Sequence, residues 1–419
     1  MKFVAGVLTL LLSVTAFAGE GEVNPGDTAW VLTSAALVLF MLPGLAMFYG
    51  GMVRAKNALN TMMLSFISMA VIGVQWVLIG FSIAFGDSGS SVWGSLQYVL
   101  MGGSFASELS GTIPLSVFAM FQGMFAIITC ALISGAVVER MKFSAFVIFI
   151  SVWATIVYAP IAHWVWGAGG WLLERGALDF AGGTVVHFSS GTAALALAIV
   201  LGNRKDFMKS ATIPHNVGYT LIGAGILWFG WFGFNAGSAL SAGEGAGVAF
   251  VNTLVAPGAA ALGWLLMEAL KSKPSGIGLA SGIVAGLVAI TPAAGFVEPW
   301  AAIVIGFVAG ILCFYGCRLK FIFKLDESLD VFGIHGIGGF WGAIATGIFA
   351  TVGAEGLVKG NAYQVWLQFE GIMAAGIYSF VLSLIIALVI KFTMGIRTSA
   401  ETETEGLDIN LHGEQVIKL

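Results

Sequence analysis

The chain has 419 residues, 58% of them hydrophobic, and its 18 Lys+Arg and 22 Asp+Glu make up only 10%, where a soluble domain carries about 25%. That excludes a soluble globular protein, and a net charge of −4 excludes a nucleic-acid binder driven by a basic surface. A mean hydropathy of +0.96 and 58 Gly fit a multi-span helical membrane protein, and at about 20 apolar residues per span the length allows about 11 to 13 crossings.

In chain order, Met1-Lys2, the apolar run Phe3 to Leu12 and Ala16-Phe17-Ala18 before Gly19 read as a secretory signal peptide over residues 1–18. Apolar runs then predict spans at 28–52, 60–85, 114–138, 143–163, 186–201, 214–238, 247–268, 276–294, 300–318, 333–352 and 366–392. If the N-terminus lies outside, the connections after odd-numbered spans should be basic. They carry Arg54 and Lys56; Arg140 and Lys142; Arg204, Lys205 and Lys209; Lys271 and Lys273; Arg318, Lys320 and Lys324; and, after the last span, Lys391, Arg397 and Lys418. Only Arg175 and Lys359 fall on the other side. This asymmetry predicts an all-α polytopic fold of eleven transmembrane helices, N-terminus outside and C-terminus cytoplasmic, in a bacterial inner membrane. Residues 19–397 form one membrane domain, and the acidic stretch 398–419 forms a cytoplasmic tail.

Cys130, Cys313 and Cys317 are odd in number and lie in apolar runs, which implies small apolar filler rather than a disulfide framework or a metal site. No nucleophile–base constellation and no cofactor motif is present, so an enzyme is not expected.

Spans five and ten share a pattern. Asp179 precedes Gly182-Gly183-Thr184-Val185-Val186-His187, and Asp330 precedes Gly333-Ile334-His335-Gly336. Each His opens a helix rich in small residues, which can approach a neighbour closely. Two halves of five spans imply an inverted repeat plus one C-terminal span, with the two His meeting near the midplane. An intramembrane ionisable group is a functional candidate because leaving it in hydrocarbon is costly. An imidazole both donates and accepts, so a His pair could receive a neutral amine or shuttle a proton, although a lone His could equally be a packed, satisfied side chain.

With 32 Phe and 13 Trp, a single aromatic is ordinarily core or lipid-facing. Phe121 and Phe125 lie one turn apart on span three, and Trp228, Trp231, Phe232 and Phe234 precede Asn235-Ala236-Gly237-Ser238. A hydroxyl beside aromatic faces suits a small cation at a membrane mouth. Asp179 either binds a cation or caps helix amides, and Asp330 has the same two readings. His163 and His215 sit near predicted interfaces, where a solvated role is expected.

Several segments have distinctive wording: Pro43-Gly44-Leu45-Ala46-Met47-Phe48-Tyr49-Gly50-Gly51, Phe121-Gln122-Gly123-Met124-Phe125, Ala162-His163-Trp164-Val165-Trp166-Gly167, Gly176-Ala177-Leu178-Asp179-Phe180-Ala181-Gly182-Gly183, Gly230-Trp231-Phe232-Gly233-Phe234-Asn235-Ala236-Gly237-Ser238, Ile290-Thr291-Pro292-Ala293 and Asp330-Val331-Phe332-Gly333-Ile334-His335-Gly336. In these the chain resembles the ammonium transporter/methylammonium permease/Rhesus family, in its bacterial ammonium transporter branch. The resemblance implies a homotrimer with one pore per subunit. It implies an external ammonium recruitment site of Trp166, Ser238 and Phe125, a gate of Phe125 and Phe234, and twin pore histidines His187 and His335. Supporting roles fall to Asp179, Trp231, Thr291 and Phe121. It also implies electrogenic uptake and, from the tail Glu405-Gly406-Leu407-Asp408-Ile409-Asn410-Leu411-His412-Gly413, a cytoplasmic PII signal protein as partner. An ammonium sensor and a neutral ammonia channel of the same family are the alternatives, and Trp166 argues against the gas channel.

Overall fold

In hydrocarbon a backbone must satisfy its own polar groups, so apolar runs of this length fold as helices. The computed structural model describes residues 22–87, 90–210 and 213–416, and the expected signal peptide, residues 1–18, lies outside them. Among the described residues are eleven helical units long and apolar enough to span a membrane. They are α1 (Pro25–Met52), α2 (Ala55–Phe85), α3 (Leu115–Val137), α4 (Phe143–Glu174), α5 (Gly183–Leu201), α6 (Val217–Gly237), α7 (Glu244–Ala269), α8 (Gly276–Ala293), α9 (Pro299–Ile322), α10 (Phe332–Phe349) and α11 (Tyr363–Thr393).

The helix contacts repeat with a period of five. α1 packs on α3 as α6 packs on α8, α2 on α4 as α7 on α9, and α3 on α5 as α8 on α10. α1 and α6, the first helices of the two halves, share the most extensive contact. Small residues permit it: a Cβ on Gly223 would lie 2.4 Å from the Phe48 nitrogen and 2.6 Å from the Gly44 oxygen. α11 stands outside the repeat and lies along α5 and α10.

One face carries the basic connections and is held by a buried ion network. Arg204 on the connection after α5 donates to Glu139 Oε2 at 2.6 Å and to Asp326 Oδ2 and Oδ1 at 2.8 Å, and both carboxylates are buried. Burial alone would push the Glu139 carboxyl up, but Arg204 and Arg54, with the Arg54 N–H and the Asn57 amide, hold it below the usual carboxylate range. Asp326 is likewise held low against its burial, by Arg204 and Arg140.

The tail is docked on this face as two short helices, α12 (Ala400–Glu405) and α13 (Leu407–His412). Asp408 is buried and accepts from the amides of Leu59 and Asn60 at 3.0 and 2.8 Å, capping the first turns of α2, where a negative charge meets the positive helix end. Arg397 pairs with Glu403, and Lys56 donates to the Thr404 carbonyl. On the opposite face the α2–α3 connection forms a short antiparallel pair, β1 (Leu109–Ser110) with β2 (Ile113–Pro114).

His163 departs from the solvated role expected of it. It is fully buried, with Nδ1 3.0 Å from the Ala84 oxygen and Nε2 3.1 Å from the Ser90 oxygen. The ring ties α4 to the end of α2 and the connection after it, its single N–H donating to one of the two carbonyls. His215 is partly exposed, with Nδ1 3.2 Å from the Val53 oxygen.

Candidate functional site

The two halves meet at their fifth helices. α5 and α10 each begin with π-helical turns, Gly183–Phe188 and Phe332–Gly336, a widened geometry common at functional positions. His187 and His335 sit within these turns. Glycine sets their approach: a Cβ on Gly191 would lie 2.5 Å from the Gly336 nitrogen, and one on Gly339 would lie 2.9 Å from the Gly183 oxygen. With the helices this close, the His187 and His335 Nδ1 atoms are 3.2 Å apart. One Nδ1 must donate and the other accept, so each ring's Nε2 has the opposite character to its own Nδ1. Nε2 of His187 is buried without a protein partner.

The His187 ring is stacked on Trp231, centroids 5.4 Å apart and planes 28° apart. Trp231 is fixed by its Nε1, which donates to the Thr291 hydroxyl at 2.9 Å, and that hydroxyl donates to the Leu287 carbonyl at 2.7 Å. Thr291 therefore supports Trp231 rather than facing the histidines itself. His187 and His335 share a narrow cavity of about 10 Å³ with Leu45, Ile128, Leu227, Trp231, Phe234 and Val284, among others. That is the size of about one water molecule. Its aliphatic lining is not distinguishable in the sequence, because an apolar residue on a cavity wall carries the same pattern as one in the core.

Next to the histidines, Phe125 and Phe234 are stacked at 4.2 Å and 29°. The stack continues inward, with Phe234 6.0 Å from His187, and outward, where Trp166 meets Phe125 edge-on at 6.0 Å. Phe121 packs edge-on against Phe125 at 5.0 Å. Ser238 donates its hydroxyl to the Phe234 carbonyl at 2.9 Å, which leaves its oxygen lone pairs as acceptors. Trp166 is half-buried, and its Nε1 donates to the Asp179 carbonyl at 2.8 Å. Phe232 and Trp228 lie elsewhere: Phe232 stacks on Phe250 at 4.2 Å, and Trp228 donates to the Thr253 carbonyl.

Asp179 is a cap. Its Oδ1 accepts from Gly182 and Gly183 at 2.8 and 2.7 Å, and its Oδ2 from Thr184 and Val185 at 2.8 and 3.1 Å, which satisfies the orphan amides that open α5. Asp330 does not repeat this. It has φ 61° and its carboxylate pairs with Lys320 at 2.8 Å, while the Phe332 amide of α10 donates to Glu327 at 3.3 Å. A wider cavity of about 520 Å³ opens between Arg204, Lys209, Lys320 and Asp330 and touches neither His187 nor His335. Among the described residues no group of three His, Cys, Asp or Glu could hold a metal ion.

Residues 29–417 match the Ammonium Transporter Family. The chain is 51% identical to the ammonium transporter of Bacillus subtilis, over 93% of this chain and 98% of that protein. Its structure is similar to the crystal structure of Saccharomyces cerevisiae Mep2, with a TM-score of 0.85 and 35% identity over 91% of this chain and 89% of that one. It is also similar to a structure described as a sensor Amt protein, with a TM-score of 0.87 and 30% identity over 92% and 98%. The chain belongs to the ammonium transporter family, whose curated relatives are named transporters, not enzymes.

Proposed function

We propose that the protein takes up ammonium through this lumen. The observation that carries the reading is the Phe125–Phe234 stack lying between Trp166 and a cavity that holds the two histidines. Ammonium is recruited at the mouth by the faces of Trp166 and Phe125 and by the Ser238 oxygen, through cation–π attraction and one hydrogen bond. A narrow apolar lumen does not repay the dehydration of an ion that must stay charged. Potassium is such an ion. Ammonium, a weak acid, passes its proton to water at the mouth, crosses the Phe pair as ammonia hydrogen-bonded to the imidazoles, and takes up a proton from water on the far side. Asp179 acts without touching substrate, by holding the start of α5 and the Trp166 indole. Transport is electrogenic if the proton follows.

The basic face is cytoplasmic on this reading, with the mouth at Trp166 outside, the signal peptide removed and the membrane the bacterial inner membrane. The working unit is a homotrimer, and the tail at 398–419 is the contact for a PII signal protein.

Solid-supported-membrane electrophysiology on the purified protein in liposomes tests the mechanism. A saturable current is expected for ammonium and none for potassium, and Trp166→Leu should raise the half-saturating ammonium concentration. Phe125→Ala should lower the preference for ammonium over potassium about tenfold, the loss of one ring stack. An unchanged preference would remove Phe125 from the gate. The likeness to a sensor favours a second reading, in which ammonium binds but does not cross. No current, together with no pH-dye signal from the same liposomes, would support it.

A further inference from the structure

The segment 176–181 between α4 and α5 has no regular structure, yet it carries Asp179, whose carbonyl holds the Trp166 indole. Buried backbone without a ladder needs partners from elsewhere. For Gly176 and Leu178 they come from α11, the helix outside the repeat. Gln368 is 3% exposed and faces Leu178 with both ends of its amide: Oε1 accepts from the Leu178 N–H at 2.6 Å, and Nε2 donates to the Leu178 carbonyl at 2.6 Å. The same Nε2 reaches the Ala343 carbonyl of α10 at 3.2 Å. One turn earlier, Gln364 donates to the Gly176 carbonyl at 2.9 Å.

A primary amide offers a donor and an acceptor in one plane, as a neighbouring strand would. Gln368 thus supplies Leu178 with a one-residue ladder. The next residue, Asp179, is held by its own carboxylate on the α5 amides, and Phe180 by its N–H on the Pro292 carbonyl at 3.1 Å. Of these three holds Gln368 comes first along the segment, and α11 adds to it the Gln364 bond at Gly176.

We propose that Gln368 is a positioning residue for the ammonium mouth: it sets the Leu178–Asp179 backbone and through it the Trp166 indole. This rests on the external-site reading of Trp166. Without Gln368 the Leu178 N–H and carbonyl lose their partners and the segment re-forms around others, so Trp166 is presented to the mouth in a spread of positions. Affinity suffers, while the lumen beyond the Phe pair keeps its lining.

The test is ammonium-inhibited uptake of labelled methylammonium into proteoliposomes of the full chain, for wild type, Gln368→Leu, Trp166→Leu and the double variant. Gln368→Leu is expected to raise the half-inhibiting ammonium concentration about fivefold, the scale of one net hydrogen bond, with the maximal rate per inserted protein within about twofold. The double variant should show no further rise over Trp166→Leu, because both changes act on one contact. An unmoved half-inhibiting concentration in Gln368→Leu, or an additive double variant, overturns the proposal alone. If Trp166→Leu moves nothing, the external-site reading falls and this proposal with it. Should Gln368→Leu fail to insert, Gln368→Asn withdraws the same amide by one methylene and is judged by the same outcomes.

Discussion

Replacing His187 and His335 together by Ala is expected to reduce ammonium flux about a hundredfold or more, equivalent to about 3 kcal/mol on the barrier. On the proposed route ammonia crossing the apolar lumen gives up its bonds to water, and a small amine left without partners in an apolar medium is several kcal/mol less stable. The imidazoles are the polar groups among the residues lining the cavity, apart from the Trp231 indole N–H, which is committed to Thr291. Removing both leaves no acceptor for the ammonia N–H groups, and the space they vacate admits water, which lowers the penalty for an ion. Stopped-flow pH-dye measurements on proteoliposomes check the flux, and a potassium current on the same preparation checks the second consequence. Wild-type ammonium flux in the double variant would remove the pair from the pore. A single variant should lose less, because the remaining ring still offers a donor and an acceptor.

The second large effect is on stability. Arg204→Ala leaves the Glu139 and Asp326 carboxylates, 2% and 0% exposed, without their main cation. Breaking a buried pair from one side costs about 3–5 kcal/mol. The pH dependence distinguishes this from lost packing. In the wild type both carboxyls titrate below their ordinary values. Their contribution is therefore complete above the unfolded carboxyl pKa of about 4 and is lost as pH falls through the lower folded values. In Arg204→Ala the carboxyls lose the main cation that offsets their burial and move up, while Arg54 and Arg140 remain, so the deficit is greatest at neutral pH and shrinks as the pH falls and they take up protons. Thermal unfolding in detergent at several pH values reads this directly. A deficit that does not change with pH would assign Arg204 to packing alone.

Much of this fold is legible in the apolar runs. The predicted spans at 28–52, 114–138 and 186–201 differ from α1, α3 and α5 by three residues or fewer at each end, because charges and Gly punctuate them. The predicted four-to-five connection differs little: the regular helix ends at Trp166, three residues past 163, and after a turn at 167–170 only the short helix Trp171–Glu174 interrupts the connection. The His pair was legible because an ionisable residue repeats at matching places in the two halves. The π-turns were not: they insert one residue per turn without altering composition, and the Gly around them serve close helix packing as well. Asp330 reads like Asp179 in sequence, yet it sits at positive φ facing Lys320, and Glu327 meets the α10 amide instead. The burial of His163 was hidden because its partners are carbonyls of a segment more than 70 residues earlier, which no local pattern registers. The docking of the tail through Asp408 was hidden for the same reason.

Asp179 shows how narrow the set of tolerated replacements can be at one position. Its two oxygens receive four amide hydrogens within a single turn. Asn offers one oxygen and turns its NH2 toward two donors, Ser reaches with one oxygen, and Glu carries the same group one methylene too far into a turn with no slack. Any such change leaves buried amides unpaired at the opening of the helix that bears His187. A variant that keeps the opening of α5 intact after losing this residue would need a new acceptor for four hydrogens at once.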